Sequence, residues 1–466
     1  MKTFVQQWLA PVCLVLVLWA CQKDRITESS NALLQTSVDT LHFDTVFTTT
    51  GSITQTIKIF NDNKEGIRIN AIRLAGGALS PFKININGYK GPQVTDLEVR
   101  GKDSAYIFVT VSINPTTGNL PFIVRDSIEI TYNGNRKYVQ LDALGQNAHF
   151  LRNKEITGHE TWDSELPYVI LGRLTVDTNA TLTINKGCKI YMHADAPFIV
   201  HGTLQVNGEK WDSTRVLFMG NRLDEPYRYY PGSFPGLIFT DVSKNNRLTY
   251  TTIRNAYQGI TVVAPSSTST PKVVLEETII DNAYDAGILA VNSSIRAQNL
   301  LISNCGKNMV LARGGNYQFT HCTVAAYSNT YLQRKEPLVS VSNHSNTPNP
   351  PADLNAVFRN CIFWGEGGGL VKDEIAVIKN GNTAFNVVFD HVLWPMSANP
   401  ANTTVRNASN QDPLFDTINT SERRYNFRLK EESPALDKGM AAGVNNDLDG
   451  HTRTTSTPDL GAYEKQ

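Results

Sequence analysis

Residues 32–147 consist of short segments in which apolar and polar residues alternate with a period of two. Examples are residues 55–60, 66–74 and 127–132. Alternation of this kind places every second side chain on one face, so each segment is predicted to be a strand with one buried face. Asn133-Gly134 separates two such segments and predicts a two-residue hairpin turn of type I′. Strands at this density predict an Ig-like β-sandwich over residues 32–147.

From residue 156 the pattern changes to a repeat of short strands that are broken by Gly or Asn. Segments 248–256, 275–283 and 297–305 align with one another, and each carries an Asn next to its last residue. A period in the low twenties with three short strands per period is typical of one coil of a parallel β-helix. Asn side chains at one turn of successive coils can stack their amides, so a structural ladder is predicted for Asn255, Asn282 and Asn304.

The repeat resembles that of right-handed parallel β-helix proteins over residues 165–395. This resemblance implies that residues 155–430 form a right-handed parallel β-helix and that the whole chain is all-β. The stretch at residues 32–147 resembles the Ig-like modules of bacterial surface lipoproteins and of cilium-associated proteins. That second resemblance implies a spacer or adaptor role for the N-terminal domain.

The C-terminal segment, residues 431–466, carries the most specific motif in the chain. It contains Ser433-Pro-Ala-Leu-Asp-Lys-Gly439, then Asp447-Leu-Asp-Gly450 with Arg453, then Asp459-Leu-Gly-Ala-Tyr-Glu464. The set resembles the terminal segment of secreted bacterial β-helix proteins. An open last coil exposes unpaired backbone and apolar core, so the segment is predicted to cap the end of the helix. The predicted structural cap residues are Asp437, Asp449, Arg453 and Asp459.

Charge balance excludes one broad class of partner. Lys+Arg is 43 and Asp+Glu is 43, and nucleic-acid binding needs a basic surface, so no nucleic-acid partner is expected. No cofactor or metal site is predicted from spacing, because the Cys residues that follow Cys21 have no paired ligand motif. Residues 445–450 begin like a calcium loop but lack the Glu at its twelfth position, which leaves calcium binding in the segment as an alternative.

The N-terminus carries an apolar run at residues 8–20 that ends in Ala20-Cys21. A helix of this length is too short to cross a bilayer, so residues 1–20 are predicted to be a signal peptide. A small residue before Cys resembles the lipobox of bacterial lipoproteins, and the following residues resemble the export tag of Bacteroidota-type surface lipoproteins. The resemblance implies lipidation of Cys21, a linker at residues 21–31 and a place at the outer membrane or cell surface. An orientation toward the periplasm is the alternative, and the lipid is the expected membrane contact.

No catalytic residues are predicted. Polysaccharide hydrolases use paired carboxylates, and lyases use a base beside a carboxylate–calcium cluster. The scattered candidates are His193, His201, His321, Arg313 and Lys335 as bases and Asp195, Asp281 and Asp285 as acids. Each lone His is more often a surface or ladder residue, and Cys322 and Cys361 fall at a repeat position that predicts small inward-facing side chains.

The best candidate for ligand contact is an aromatic loop between two predicted coils. Aromatic rings on a Pro/Gly-rich loop can stack on sugars or anchor a protein partner. The alternative is that the rings cover the flank of the helix. The candidate contacts are Tyr227, Arg228, Tyr229, Tyr230, Phe234 and Trp364.

Two functional hypotheses follow. The first is a membrane-anchored surface lipoprotein that uses a β-helix as a non-catalytic scaffold for binding a polysaccharide or a surface protein. The second is a polysaccharide lyase or glycoside hydrolase that acts on acidic glycans. The two differ in one feature, because an enzyme needs an acid–base pair clustered in one groove.

Overall fold

The computed structural model describes residues 25–48, 50–344, 350–366 and 370–466. The chain is all-β, as predicted, and it divides into two compact units between Asn147 and Ala148. The predicted signal peptide and Cys21 lie outside the described residues. Within the described ranges, no helix has the length and apolarity needed to cross a membrane.

The N-terminal unit contains two sheets and one 3-10 turn at Gly77–Leu79. One sheet has the order β1-β5-β10-β11-β3, with β8 also paired to β5, and the other has the order β2-β4-β9-β6-β7. The strands are β1 (Ile26–Thr27), β2 (Gln35–Thr36), β3 (Thr40–Phe47), β4 (Gln55–Asn61), β5 (Gly66–Leu74), β6 (Phe82–Ile86), β7 (Tyr89–Lys90), β8 (Gln93–Val99), β9 (Asp103–Val111), β10 (Phe122–Tyr132) and β11 (Asn135–Gln146).

Alternation explains how these strands share one core. Buried residues such as Ile57 on β4 and Ile130 on β10 come from different sheets and belong to a single apolar cluster. The turn between β10 and β11 has φ of 45° at Asn133 and 75° at Gly134, which is the type I′ geometry predicted from Asn-Gly. β1 pairs with β5, so part of the predicted linker at residues 21–31 belongs to this unit.

The second unit is built on one parallel sheet of 23 strands. Its strands are β12 (His149–Ile156), β13 (His159–Trp162), β14 (Tyr168–Val176), β15 (Thr181–Asn185), β16 (Lys189–Met192), β17 (Phe198–Val200), β18 (Thr203–Asn207), β19 (Val216–Gly220), β20 (Leu237–Phe239), β21 (Asn246–Thr249), β22 (Thr251–Arg254), β23 (Gln258–Val263), β24 (Val273–Glu276), β25 (Ile279–Asp281), β26 (Ala286–Gln298), β27 (Leu301–Ser303), β28 (Lys307–Thr320), β29 (Thr323–Tyr327), β30 (Val339–Ser342), β31 (Leu354–Glu366), β32 (Ile375–Ile378), β33 (Phe385–Leu393) and β34 (Thr404–Ser409).

Parallel pairing repeats along the chain in a regular way. β15 pairs with β18, β18 with β21 and β21 with β24, so a strand finds its partner one coil later. A coil is here the stretch of chain between two strands paired in this way. The pattern is consistent with the predicted parallel β-helix. The inward side chains of all coils form one core, in which Phe358 stacks between Phe319 and Phe389 at ring distances of 5.3 and 4.8 Å.

The bounds of the parallel sheet differ from the prediction of residues 155–430. The first strand begins at His149 and the last ends at Ser409. Beyond it, β35 (Phe415–Asn419) and β36 (Arg424–Leu429) form an antiparallel hairpin, which the alternation alone could not distinguish from another coil.

The C-terminal segment lies along the flank of the coils, so the prediction that it closes the end of the helix is wrong. Its Leu448 carbonyl accepts a hydrogen bond from Arg215, and its Ala462 N–H donates to Thr323 Oγ1. A second apolar core forms beneath it from outward residues of the sheet, including Leu301 and Leu393, and from the hairpin and segment. An apolar outer face along several coils needs such a cover, which is why the segment runs lengthwise.

Candidate functional site

The aromatic loop predicted as a ligand contact is fastened to the parallel sheet by the Asn ladder. Asn255 Nδ2 donates to the Arg228 carbonyl at 2.7 Å, and Asn282 Nδ2 donates to the Tyr229 carbonyl at 2.9 Å. Asn282 Nδ2 also donates to Asn255 Oδ1 at 2.7 Å. Two side-chain amides of neighbouring coils therefore fix the backbone of the loop at its single 3-10 turn, Tyr227–Tyr229.

The predicted ladder is only partly continuous. All three Asn residues have positive φ, with 65° at Asn255, 58° at Asn282 and 52° at Asn304. Asn304 uses its Oδ1 to accept the N–H of Tyr327 at 3.3 Å, and the amide–amide bond of the described ladder joins Asn255 to Asn282. Asn tolerates the left-handed region better than other non-glycine residues, which explains the repeat independently of any ligand.

Arginine side chains hold part of the aromatic loop in place. The Arg423 guanidinium lies 4.1 Å from the ring centre of Tyr229 and 4.7 Å from that of Tyr331. The Arg228 guanidinium lies 5.4 Å from the centre of the Tyr229 ring. Tyr229 is half-buried and engaged by both cations, so its ring serves to position the loop.

Four tyrosine rings at or beside this loop remain exposed, and we call Tyr227, Tyr230, Tyr257 and Tyr284 the tyrosine surface. Their exposed fractions are 42%, 36%, 48% and 52% in that order. Tyr227 and Tyr230 have ring centres 5.2 Å apart, and Tyr257 and Tyr284 stack at 5.6 Å. The loop adjoins the stacked pair, because a Cβ placed on Gly232 would lie 3.4 Å from the Cβ of Tyr284.

Sequence reasoning missed Tyr257 and Tyr284, although the repeat contained a signal. Each follows a ladder Asn by two residues, at Asn255 and Asn282, and the equivalent position after Asn304 is a Gly. Because coils place equivalent residues one above another, two Tyr at one repeat position predict a stacked exposed pair.

Four of the six predicted contacts lie outside the tyrosine surface. Arg228 and Tyr229 form part of the 3-10 turn of the loop, and the other two, Phe234 and Trp364, are withdrawn from solvent. Phe234 is 1% exposed and belongs to the core of the parallel sheet, so its prediction as a ligand contact is wrong. Trp364 is half-buried and packs against the second apolar core. Both are large apolar side chains next to Gly or Pro, and burial of their area outweighs the loop-like composition around them.

A row of hydrogen-bonding side chains runs beside the stacked tyrosines across three coils. Gln258 Nε2 donates to Asp285 Oδ2 at 2.8 Å, and Lys307 Nζ lies 3.3 Å from Asp285 Oδ1. Thr261 Oγ1 donates to Gln258 Oε1 at 2.7 Å. The exposed rings are therefore bordered by an ordered set of donors and acceptors.

The acid and base candidates from the sequence are distributed among separate structural contacts. His193 and Asp195 form an exposed pair with Nδ1 and Oδ1 2.6 Å apart, and the hydrogen bond from His193 lowers the pKa of Asp195. His201 Nδ1 contacts Thr240 Oγ1 at 3.0 Å, and Asp281 contacts Ser303 and Arg254. Arg313 is half-buried, and Lys335 is exposed.

The thiols of the described cysteines and the imidazole of His321 are buried in the second unit. Cys188, Cys305, Cys322 and Cys361 are free and buried, and burial raises the pKa of Cys188 to about 12. Cys322 and Cys361 face inward as predicted. Burial lowers the pKa of His321 to about 3, and its Nε2 accepts a hydrogen bond from Asn360 Nδ2 at 2.9 Å.

The C-terminal segment holds the one group of potential metal ligands found among the described residues. Donor atoms of Asp447, Asp449 and His451 lie within 4.8 Å of one another. Asp447 Oδ1 accepts the N–H groups of Asp449 and His451, and its Oδ2 accepts that of Glu464 at 3.0 Å. These contacts give the Asp-x-Asp-Gly motif a structural role, and calcium binding there stays a prediction.

Of the four predicted cap residues, Arg453 and Asp459 are buried within the segment. Arg453 Nη1 donates to Glu464 Oε2 at 3.0 Å. Asp449 pairs with Arg428, and Asp459 accepts the N–H of Asp437 at 2.8 Å. Arg453 and Asp459 therefore contribute buried contacts to the segment, whereas Asp437 is exposed and Asp449 is half-buried.

Comparisons with known proteins return distant structural likenesses only. No family model matches the chain, and no curated protein matches it. The catalytic unit of a GH87 α-1,3-glucanase from Streptomyces thermodiastaticus strain HF3-3 aligns at 10% identity over 77% of this chain and 89% of its own, with a TM-score of 0.24. A family 123 glycoside hydrolase from Clostridium perfringens aligns at 14% identity over 27% of this chain and 26% of its own, with a TM-score of 0.19. The PapD-like domain 7 of human CEP192 aligns at 10% identity over 26% of this chain and 87% of its own, with a TM-score of 0.17. At these TM-scores the alignments carry no argument about the activity of this chain.

Proposed function

We propose that this protein is a cell-surface lipoprotein that binds a polysaccharide through the tyrosine surface, without catalysis. The observation that carries the proposal is the set of four exposed rings at one place on the coils, held by the amides of Asn255 and Asn282. The proposal includes a right-handed parallel β-helix as the scaffold and an Ig-like N-terminal domain as the spacer.

Sugar is favoured as the ligand by the chemistry that surrounds the rings. A pyranose presents an apolar face, which stacks on aromatic rings, and a rim of hydroxyl groups, which needs donors and acceptors. The stacked Tyr257 and Tyr284 supply the aromatic rings, and the Gln258–Asp285–Lys307 row supplies the donors and acceptors. A wild-type protein that binds none of the polysaccharides in the experiment below would instead favour a surface protein as the ligand.

The double variant Tyr230→Ala, Tyr284→Ala is expected to weaken polysaccharide binding about fivefold or more, because each ring contributes roughly 0.5–1.5 kcal/mol. The measurement is affinity electrophoresis of the full chain against a panel of neutral, uronic and sulfated polysaccharides, followed by titration with the tightest one. Both side chains are exposed, so the fold should tolerate the change.

Trp211→Ala is the matched control, since Trp211 is an exposed aromatic residue outside the tyrosine surface with 63% exposure. It should leave the affinity within about twofold of the wild type. Equal binding by the double variant and wild type would contradict the proposal. New unsaturated or reducing ends in the polysaccharide, lost in His193→Ala, would instead support a lyase or hydrolase that uses the exposed His193–Asp195 pair.

Lipidation is proposed at Cys21 because the apolar run at residues 8–20 ends in Ala20-Cys21. Stable anchoring needs two acyl chains, which a lipoprotein-type N-terminus provides. Cys21→Ser is expected to move the protein from the membrane fraction to the soluble fraction and to abolish incorporation of labelled fatty acid. Cys188→Ser controls for loss of any thiol, and labelling that persists in Cys21→Ser would refute the anchor.

A further inference from the structure

The N-terminal unit contains a cavity of about 460 Å³ that is lined by residues of β6, of the 3-10 turn and of the connection between β7 and β8. Its lining is mainly apolar and includes Leu74, Phe108 and Pro92. A volume of this size is within the range of small-molecule sites in proteins. All of its lining residues belong to the N-terminal unit, and none of them belongs to the tyrosine surface.

Two lysines stand at this cavity, Lys83 on β6 and Lys90 on β7, and no Asp or Glu is among its lining residues. Neither ammonium group forms an ion pair with a carboxylate in the part of the chain that the structure describes. Two positive charges that lack a carboxylate partner and lie beside apolar surface favour a ligand of negative charge.

Strand register places the two lysines on the same face. Asn85 pairs with Lys90 across β6 and β7, and Lys83 lies two residues before Asn85 on the same side of the strand. Such diagonal neighbours are about 7–8 Å apart, so one anionic group of two or three oxygens can reach both ammonium groups. Phe108 pairs with Asn85 on the adjacent strand and is 39% exposed, which gives the face an aromatic floor.

We infer that this cavity binds a small organic anion, with an apolar body against Phe108 and a carboxylate, sulfonate or phosphate between Lys83 and Lys90. The apolar lining removes the body of the ligand from water, and the two ammonium groups replace the hydration of its anionic end. The inference is independent of the proposed polysaccharide function, because it rests on residues of the other unit.

The test uses 1-anilinonaphthalene-8-sulfonate as the anionic probe and N-phenyl-1-naphthylamine as the uncharged one, each titrated by fluorescence against the full chain. The double variant Lys83→Gln, Lys90→Gln is expected to weaken binding of the sulfonate about tenfold or more and to leave the neutral probe within about twofold. Phe108→Ala is expected to weaken both probes.

Lys58→Gln is the matched control, because Lys58 is an exposed lysine of the same sheet that lies over the Tyr106 ring and does not line the cavity. It should leave both affinities unchanged. One saturable sulfonate site that is lost in the Lys83/Lys90 variant supports the inference. Equal sulfonate binding by that variant and the wild type, or an equal loss in Lys58→Gln, would overturn it.

Discussion

Arg453→Ala is expected to release the C-terminal segment from the flank of the coils while the parallel sheet stays folded. Arg453 is 2% exposed and donates to Glu464, Asn299 and the Gly461 carbonyl. Removing one partner of a buried ion pair costs about 3–5 kcal/mol, because the remaining carboxylate keeps its desolvation penalty. The main core of the sheet contains no residue of the segment, so the damage should stay local.

Hydrogen exchange measured by mass spectrometry checks this result. Protection should fall in peptides that cover residues 439–466 and on the flank beneath them, and it should persist in the N-terminal unit. Arg428→Ala is the matched control, since Arg428 pairs with Asp449 but its side chain is 52% exposed. Such exposed pairs contribute about 0–1 kcal/mol. Wild-type protection in Arg453→Ala would refute the role of the buried pair, and a folded variant that has lost ligand binding would make the segment a functional site.

The strands were predictable because alternation and coil repeats are local signals. In the N-terminal unit, β4 and β5 fall where period-two alternation placed strands, and Asn133-Gly134 forms the expected turn. Positive φ at Asn255 and Asn282 likewise follows from the residue type at one repeat position. These features depend only on residues that are close in sequence or in the next coil, so they can be predicted from a single sequence.

Placement of the C-terminal segment depends on contacts that no local pattern contains. Arg453 meets Asn299 across 154 residues, and Leu448 meets Arg215 across 233. The motif predicts structural residues, but it does not indicate whether they cover an apolar end or an apolar flank of the coils. Ile279 and Leu301 are paired on neighbouring strands, and both side chains face away from the main core. Apolar residues at the same outward position of successive coils indicate that another part of the chain covers this flank.

The candidate site could be located from the sequence as a region but not as a set of exposed side chains. Composition identified the loop at Tyr227–Tyr229, but it could not tell that Phe234 turns into the core or that Arg423 would hold Tyr229. Both outcomes depend on which face of the coil a loop crosses. Tyr257 and Tyr284 share one repeat position in the sequence, but only the structure shows that this position places their rings beside the loop.

Acid is expected to loosen the same flank through His321, which is fully buried and faces the C-terminal segment. Asn360 donates to its Nε2, so the neutral ring carries its proton on Nδ1. Burial, and next the charge of Arg453, lower the pKa of His321 from 6.5 to about 3. The unfolded chain therefore binds more protons than the folded chain between these values, and stability falls as the pH falls through that window.

The matched variant is His321→Asn, because the neighbouring turn residues Asn299 and Asn360 show that Asn accepts the positive φ of this column. The wild type should lose stability relative to the variant by up to about 1.4 kcal/mol per pH unit below about pH 6.5. Burial raises the pKa of Glu277 and Asp459, an effect of opposite sign that is common to both proteins and cancels in the difference. Urea unfolding at about pH 7, 6, 5 and 4 measures that difference. Parallel stability curves for the two proteins would show that His321 does not titrate with unfolding, and a widening gap as the pH falls would identify it as the acid-sensitive group of the flank.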